Sequence, residues 1–284
     1  MVGKNLFVKV LFVVGLFVCS FPLISNMIES YYQKDAIATY SRNVENKDAK
    51  TLEDELKKAE EYNKMLYSHK SSSVVNKSSK SKLLTLDSYN SLVDMGNGTM
   101  GSIEIPKINV NLPLYHGTSD EVLSVGVGHV YGSSLPVGGT NTRSVLTGHR
   151  GLPNAKLFTR LDEVVEGDLF FIRVLGKTLA YKVSDIVVIK PDEVDTVGIV
   201  KGKDLVSLIT CTPYGLNTHR LVVTGERVPY VESEYENIEA KSMSLREILF
   251  TSIPLLFLGV AIAMKVRSVI KNRKKGEEVK DENK

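Results

Sequence analysis

The sequence predicts a mainly β domain between residues 101 and 230, flanked on both sides by helical and apolar segments. Within this range, short runs rich in β-branched and aromatic residues are separated by Gly, Pro and Asn. Several such runs at short spacing are typical of an all-β barrel or sandwich. A domain of about 130 residues is also long enough to bury a core of its own. The clearest runs are SIEIP, TRSVLTG, DLFFIRV, AYKVSDIVVI, DLVSLITC and HRLVVTGERV.

Composition and charge exclude several classes of protein. The chain has 284 residues, of which 43% are hydrophobic and 24% charged, so it is neither wholly disordered nor collagen-like. The net charge is +3, and residues 265–284 alone carry about +4. A nucleic-acid-binding domain would carry its basic residues on the folded part instead. Cys19 and Cys211 are the only cysteines, which excludes a disulfide-stapled scaffold and a four-thiolate zinc site.

An apolar N-terminal segment, residues 10–24, follows Lys4 and Lys9. A spanning helix needs roughly 20 apolar residues, a length that residues 6–8 supply if Lys9 extends toward the membrane surface. A cleaved signal peptide is the alternative, but no clear small-x-small cleavage site follows. We therefore predict an uncleaved anchor over residues 1–25.

A second apolar segment covers residues 248–264 and is followed by the basic tail 265–284. Under the positive-inside bias, both termini are cytoplasmic, and the region between the two spans is extracellular. This gives a two-pass protein of the cell membrane. The predicted organisation is an anchor (1–25), a helical and linker pre-domain (26–100), the β-domain (101–230), a linker (231–247), a second span (248–264) and a tail (265–284).

The pre-domain has helical character up to about residue 70. Thr51-Leu52-Glu53-Asp54 resembles a capping box, and the following apolar stripe is incomplete. We expect a lone surface helix or a spacer from the membrane. Residues 71–82 read as a low-complexity linker.

Three residues of the β-domain carry side chains suited to acyl transfer. His149 and Cys211 each close a strand-like run, and Arg220 opens the next one. If residues 205–210 and 221–224 pair as antiparallel neighbours, Cys211 and Arg220 lie opposite one another. A thiolate can then attack a carbonyl, an imidazole can protonate the leaving amine, and a guanidinium can stabilise the oxyanion. His69, His116, His129 and His219 are expected to be structural or solvated, and they lack the spacing of metal ligands.

The local strings are more specific than the spacing. SLITCTPYGLNTHRLVVTGER closely resembles the active-site segment of sortases, the cysteine transpeptidases of Gram-positive bacteria that join surface proteins to each other or to the cell wall. TGHRGLPNAKLFTRLDEVVEGD resembles their histidine segment, and GSIEIPKINVNLPLYHGT resembles their first strands. The TCTPYxxNTHR form, GHVYGSSLPVGG and the second span resemble class C, the pilus-assembling subgroup. The similarity covers residues 101–230.

This resemblance implies a sortase-type eight-stranded β-barrel with an N-terminal helical segment and two flanking transmembrane helices. It implies that Cys211 is the acylated nucleophile, His149 the proton donor, and Arg220 the oxyanion or substrate clamp. The substrates would be surface or pilin proteins with an LPxTG-like sorting signal, and the acceptor would be an amine, either a pilin lysine or a cell-wall precursor. No cofactor and no metal is implied.

One feature of class C is missing from the sequence. These enzymes commonly carry an N-terminal lid with an Asp-Pro-aromatic motif, whereas no proline occurs between Pro22 and Pro106. Either the lid is absent or another segment, such as Leu86-Asp87-Ser88-Tyr89, takes its place.

Two other functions remain open at the level of sequence. A secreted cysteine protease of another fold would need an orienting Asn or Asp near the histidine and a helix bearing the cysteine. A non-enzymatic two-span surface module would leave Cys211 without a chemical role. Within the sortases, a housekeeping enzyme that anchors proteins to peptidoglycan is the alternative to a pilus-assembling one.

Overall fold

The computed structural model describes residues 2–71, 85–96, 98–242 and 245–281. It contains two compact units, Ile28–Lys241 and a second unit made of Met1–Met27 with Ser242–Lys284. The helices are α1 (Val2–Glu45), α2 (Ala49–Ser71), α3 (Leu86–Ser91), α4 (Asp120–Val125), α5 (Glu232–Glu236) and α6 (Leu245–Asp281). The strands are β1 (Thr99–Ile105), β2 (Val110–His116), β3 (Val127–His129), β4 (Thr142–Thr147), β5 (Leu169–Val174), β6 (Lys177–Ile189), β7 (Asp204–Thr212) and β8 (His219–Val228).

The eight strands form a closed barrel in the order β1-β2-β3-β4-β7-β8-β6-β5, which confirms the predicted fold class. The β2–β3 and β4–β7 pairs are parallel, and the other neighbours are antiparallel. Successive side chains of a strand point to opposite faces. On β7, Val206 and Leu208 accordingly belong to the main core, while Ile209 belongs to a separate small cluster.

Close packing inside the barrel depends on a glycine in β8. A Cβ atom placed on Gly225 would lie 2.4 Å from the Phe170 ring, which stacks on Tyr181 with 5.5 Å between the ring centroids. Any larger residue at this position would displace the aromatic pair. The glycine therefore allows β8 to approach the aromatic core.

Helix α2 packs into the core, so the expectation of a lone surface helix is wrong. Ala59, Tyr62 and Leu66 are buried on one face of the helix. The buried Asn63 donates to the Leu135 carbonyl (3.1 Å) and accepts from the Leu135 amide (2.7 Å). The sequence pattern did not predict this buried face because two of its residues are a tyrosine and an asparagine, which do not count as part of an apolar stripe.

The start of α2 also differs from the predicted capping box. The helix begins at Ala49, and the Asp48 carboxylate accepts hydrogen bonds from the Thr51 amide (2.9 Å) and hydroxyl (2.7 Å). Asp48 therefore caps the helix, and Thr51 lies within its first turn.

Helix α3 is anchored to the barrel by a buried polar network. The Tyr89 hydroxyl lies 2.9 Å from Nδ1 of His129, and it accepts a hydrogen bond from the Gly117 amide at 3.0 Å. Nε2 of His129 lies 2.8 Å from the Ser134 carbonyl, which can only accept. The proton therefore resides on Nε2, and the Tyr89 hydroxyl has two acceptors within reach, Nδ1 and the His129 carbonyl (3.1 Å). Leu86-Asp87-Ser88-Tyr89 is the segment named above as an alternative lid, and its tyrosine is buried against the barrel. Residues 72–84 lie outside the described part of the chain.

The segment after β8 folds back on the barrel as well. Tyr235 of α5 packs edge-on against Phe171 (5.2 Å between centroids), and its hydroxyl donates to Glu104 at 2.9 Å. Arg173 lies 5.6 Å from the centre of the Tyr235 ring, a cation–π contact. The Lys241 amide donates to the Lys107 carbonyl at 2.8 Å. The predicted linker 231–247 therefore begins with ordered structure.

The second unit contains the apolar ends of α1 and α6. Both helices are long and apolar enough to cross a membrane, over candidate spans Val10–Glu45 and Thr251–Ile270. Phe12 and Phe257 make an edge-to-face contact with 6.2 Å between the ring centroids. Two candidate spans flank the barrel, as the sequence predicted.

Candidate active site

Cys211 lies near the end of β7, directly opposite Arg220 at the start of β8. The antiparallel pairing of these strands, predicted for residues 205–210 and 221–224, is confirmed. Directly opposed residues in an antiparallel ladder point to the same face of the sheet. Both residues are partly exposed, so the thiol and the guanidinium share one accessible face.

His149 reaches the same edge of the barrel through the parallel pairing of β4 with β7. The last paired residues are Thr147 and Ile209, and His149 and Cys211 each follow two residues later. The Gly148 amide donates to the Ile209 carbonyl at 3.1 Å, which extends the ladder beyond β4. The Phe158 amide then donates to the His149 carbonyl at 3.1 Å. The structure therefore brings the histidine segment beside the cysteine, and His149 is partly exposed.

The Arg220 side chain is oriented by its own loop. Its Nη1 group donates to the carbonyls of Asn217 (3.3 Å) and His219 (3.1 Å). A guanidinium has five N–H donors. Within the part of the chain that the structure describes, the Nε and Nη2 groups donate no hydrogen bond. They remain able to bind a substrate oxygen on the face shared with Cys211.

A small apolar cluster lies on this face next to Cys211. Ile209 precedes Cys211 by two residues, so the two side chains point the same way. Ile209 is buried together with Val145 and Val222. Partly buried residues pack against these three: Val130, Ile189 and Val197. The thiol and the guanidinium thus share their face with an apolar surface, and the His149 segment lies beside them.

The other histidines have the structural or solvated positions that the sequence predicted. His116 contacts the carbonyls of Gly98 (3.1 Å) and Leu92 (2.8 Å) at the end of β2. His69 and His219 are exposed. His129 is fully buried, and its burial lowers its pKa to about 4, although the bond to the Ser134 carbonyl acts in the opposite direction.

Arg150 is a site-adjacent residue that the sequence analysis did not single out. Its Nη1 donates to the Thr212 hydroxyl at 3.2 Å, its Nη2 pairs with Asp162, and its guanidinium lies 5.7 Å from the centre of the Tyr214 ring. Its position in TGHRG, directly after His149, was the one feature of the sequence that could have indicated a place near the site. Among the residues that the structure describes, no group of three or more His, Cys, Asp or Glu side chains is arranged to hold a metal ion.

Comparison with known proteins defines the class to which this fold and site belong. Residues 103–228 match the family model described as the sortase domain. Sortase C1 from Streptococcus agalactiae has 45% sequence identity, and the match covers 69% of this chain and 100% of that one, with a TM-score of 0.63. The chain belongs to the sortase family.

Other similar solved structures include sortases C from two further bacteria. A Clostridium perfringens sortase C, solved with the C-terminal cell wall sorting motif, has 42% identity over 69% of this chain and 99% of that one, with a TM-score of 0.58. Streptococcus pneumoniae sortase C has 39% identity over 69% of this chain and 97% of that one, with a TM-score of 0.61. The similarity to class C that the motifs suggested is thus found in the structures.

Curated relatives are more distant. Sortase D of Bacillus subtilis is 31% identical over 131 residues, which are 45% of this chain and 63% of that protein. Sortase A of Streptococcus agalactiae is 28% identical over 130 residues, 45% of this chain and 52% of that protein. The chain thus matches less than two thirds of either curated relative.

Proposed function

We propose that this protein is a membrane-anchored, class C sortase that cleaves an LPxTG-like sorting signal and transfers it to an amine. The observation that carries the proposal is the register of three strands: β8 sets Arg220 opposite Cys211, and β4 brings the His149 segment alongside. These groups are the nucleophile, the proton donor and the oxyanion-stabilising cation that acyl transfer requires.

In the proposed reaction, the Cys211 thiolate attacks the carbonyl carbon of the substrate threonine, and Arg220 stabilises the resulting oxyanion. The bond from this carbon to the following nitrogen breaks, and His149 gives its proton to the leaving amine. The threonine is then held as a thioester on Cys211. An incoming amine attacks the thioester and loses a proton to His149, which regenerates the thiolate and leaves an amide bond.

The surface around Cys211 fits the apolar part of such a signal. Ile209, Val145 and Val222 lie on the same face as the thiol, and the partly exposed Val130, Ile189 and Val197 adjoin them. The leucine and proline of an LPxTG-like peptide would bury apolar area there while its threonine reaches Cys211. We propose that the acceptor is a pilin lysine, which agrees with the high identity to sortases C.

The membrane topology of the proposal places the barrel outside the cell and both termini in the cytoplasm. Two candidate spans flank the barrel, and Lys4, Lys9 and the basic tail favour the cytoplasmic side. Substrates that are exported and retained at the membrane would therefore meet the site on the outer surface.

The test uses the full chain in detergent, incubated with LPxTG-like peptides and analysed by mass spectrometry. We expect an acyl adduct on Cys211 that disappears when an amine acceptor is added. A lysine-containing pilin fragment and a cell-wall peptide amine should then be compared as acceptors. Preference for the cell-wall amine would indicate the housekeeping reaction, and the absence of any adduct would favour the non-enzymatic surface module.

A further inference from the structure

The guanidinium of Arg150 is buried at the point where the histidine and cysteine segments meet. The residue is 6% exposed, and its side chain only 2%. A buried cation is costly unless it is paired and hydrogen-bonded. Arg150 is paired with the Asp162 carboxylate, donates to the Thr212 hydroxyl (3.2 Å) and lies over the Tyr214 ring (5.7 Å), while its buried Nε has no hydrogen-bond partner among the described residues.

The bond between Arg150 and Thr212 lies next to the proposed catalytic pair, His149 and Cys211, on the C-terminal side of both residues. Arg150 directly follows His149, and its partner Thr212 directly follows Cys211. On the other side, the Thr210 hydroxyl donates to the Gly148 carbonyl at 2.8 Å. The two segments are therefore joined by side-chain hydrogen bonds immediately before and immediately after the pair.

We propose that Arg150 is a positioning residue that fixes the separation of His149 and Cys211 through its bond to Thr212. The predicted effect on the rate rests on the proposed function. The predicted effect on the separation of His149 and Cys211 does not. Arg150 acts through its neighbours and makes no contact with the substrate. A displacement of about 1 Å between reacting groups can cost on the order of 100-fold in rate.

Lysine cannot replace the guanidinium at this position. The planar fork of arginine donates in two directions at once and stacks on an aromatic ring, whereas an ammonium is a point charge. R150K therefore keeps the charge near Asp162 but loses the joint contact with Thr212 and Tyr214. A matched control is R160K, because Arg160 is also buried and donates to Glu163 at 2.9 and 2.8 Å.

The first experiment measures formation of the Cys211 adduct from an LPxTG-like peptide, with kcat and KM determined separately. We expect R150K and T212V to lower kcat by about 10- to 100-fold with little change in KM. T212S, which keeps the hydroxyl, should restore the rate, and R150K/T212V should lose no more than either single variant. R160K should stay within about threefold of the wild type. Equal losses in R150K and R160K, or in T212S and T212V, would overturn the proposal.

The second experiment measures the geometry without any substrate. In a C19A background, H149C places a thiol beside Cys211, and neighbouring strands about 4.8 Å apart permit a disulfide. We expect the disulfide with Cys211 to form at least several-fold more slowly in H149C/R150K than in H149C or H149C/R160K. Equal rates in all three would refute the positioning role. If wild-type protein forms no adduct with any peptide, the proposed function fails, while this cross-linking result still decides the role of Arg150.

Discussion

Cys211 and Arg220 face each other across the β7–β8 ladder, and each is only partly exposed. Because opposed side chains of an antiparallel pair share one face, the strand register directs both side chains to the same face of the barrel. The loop carbonyls of Asn217 and His219 orient the arginine further. The site is thus built on strands that the barrel fixes in place.

Replacement of Arg220 tests its proposed role as the oxyanion clamp. R220A should lower the rate of acylation by about 100- to 1,000-fold, because a preorganised donor to the developing oxyanion is lost. R220K should recover part of the rate, since it keeps the charge but not the fork. Steady-state kinetics with an LPxTG-like peptide measures both variants.

His219 provides a neighbouring control for Arg220. It is exposed and contacts the Thr218 hydroxyl at 2.9 Å. H219A should therefore acylate within about threefold of the wild type, in the range of ordinary surface substitutions. A loss in H219A as large as that in R220A would show that the loop, and not the guanidinium, is responsible.

Burial of His129 makes the folded barrel sensitive to acid. Its pKa is lowered to about 4, so the unfolded chain binds more protons at this group as the pH falls below about 6.5. The neutral histidine thus contributes stability above about pH 6.5, and as much as about 3 kcal/mol is lost as the pH approaches 4. Urea unfolding of the full chain at several pH values measures this loss.

The comparison protein for this acid sensitivity is H129Q, whose amide can still donate to Ser134 but does not titrate. Other groups titrate in the same range in both proteins, so only the difference between their slopes reports on His129. H129Q should show a shallower loss of stability between pH 6.5 and 4. Parallel slopes would mean that His129 is not buried in its neutral form.

Asn63 tests whether α2 is part of the folded barrel unit. N63A leaves the Leu135 amide without its partner, whereas the Leu135 carbonyl keeps the hydrogen bond from the Val137 amide at 2.8 Å, and the variant should lower the free energy of unfolding by about 1–3 kcal/mol. Denaturant unfolding measures the loss. K64A, at an exposed position of the same helix, should change stability by less than about 0.5 kcal/mol. A neutral N63A would show that α2 contributes little to the barrel.

The sequence predicted the β-domain and the Cys211–Arg220 pairing because both depend on local patterns. Strand alternation marks each strand, and the short Thr212–His219 connection leaves the antiparallel neighbour little freedom of register. The motif resemblance supplied the eight-stranded barrel, which is confirmed, and the role of His149, which stays a prediction.

Other features depend on long-range contacts that no local pattern shows. Asn63 binds the backbone of Leu135, Tyr89 binds His129, and Tyr235 binds Glu104. In each pair the polar side chain resembles an ordinary surface residue in the sequence. For the same reason the contact of Arg150 with Thr212, 62 residues away, was not predicted.

The most direct test of the central claim compares wild-type protein with C211A and C211S after incubation with an LPxTG-like peptide. The measurement is intact-protein mass spectrometry followed by mapping of the modified peptide. We predict a thioester adduct on Cys211 in the wild type that hydroxylamine removes, and no thioester in either variant. Undiminished peptide cleavage by C211A, or an adduct located elsewhere in the chain, would contradict the account.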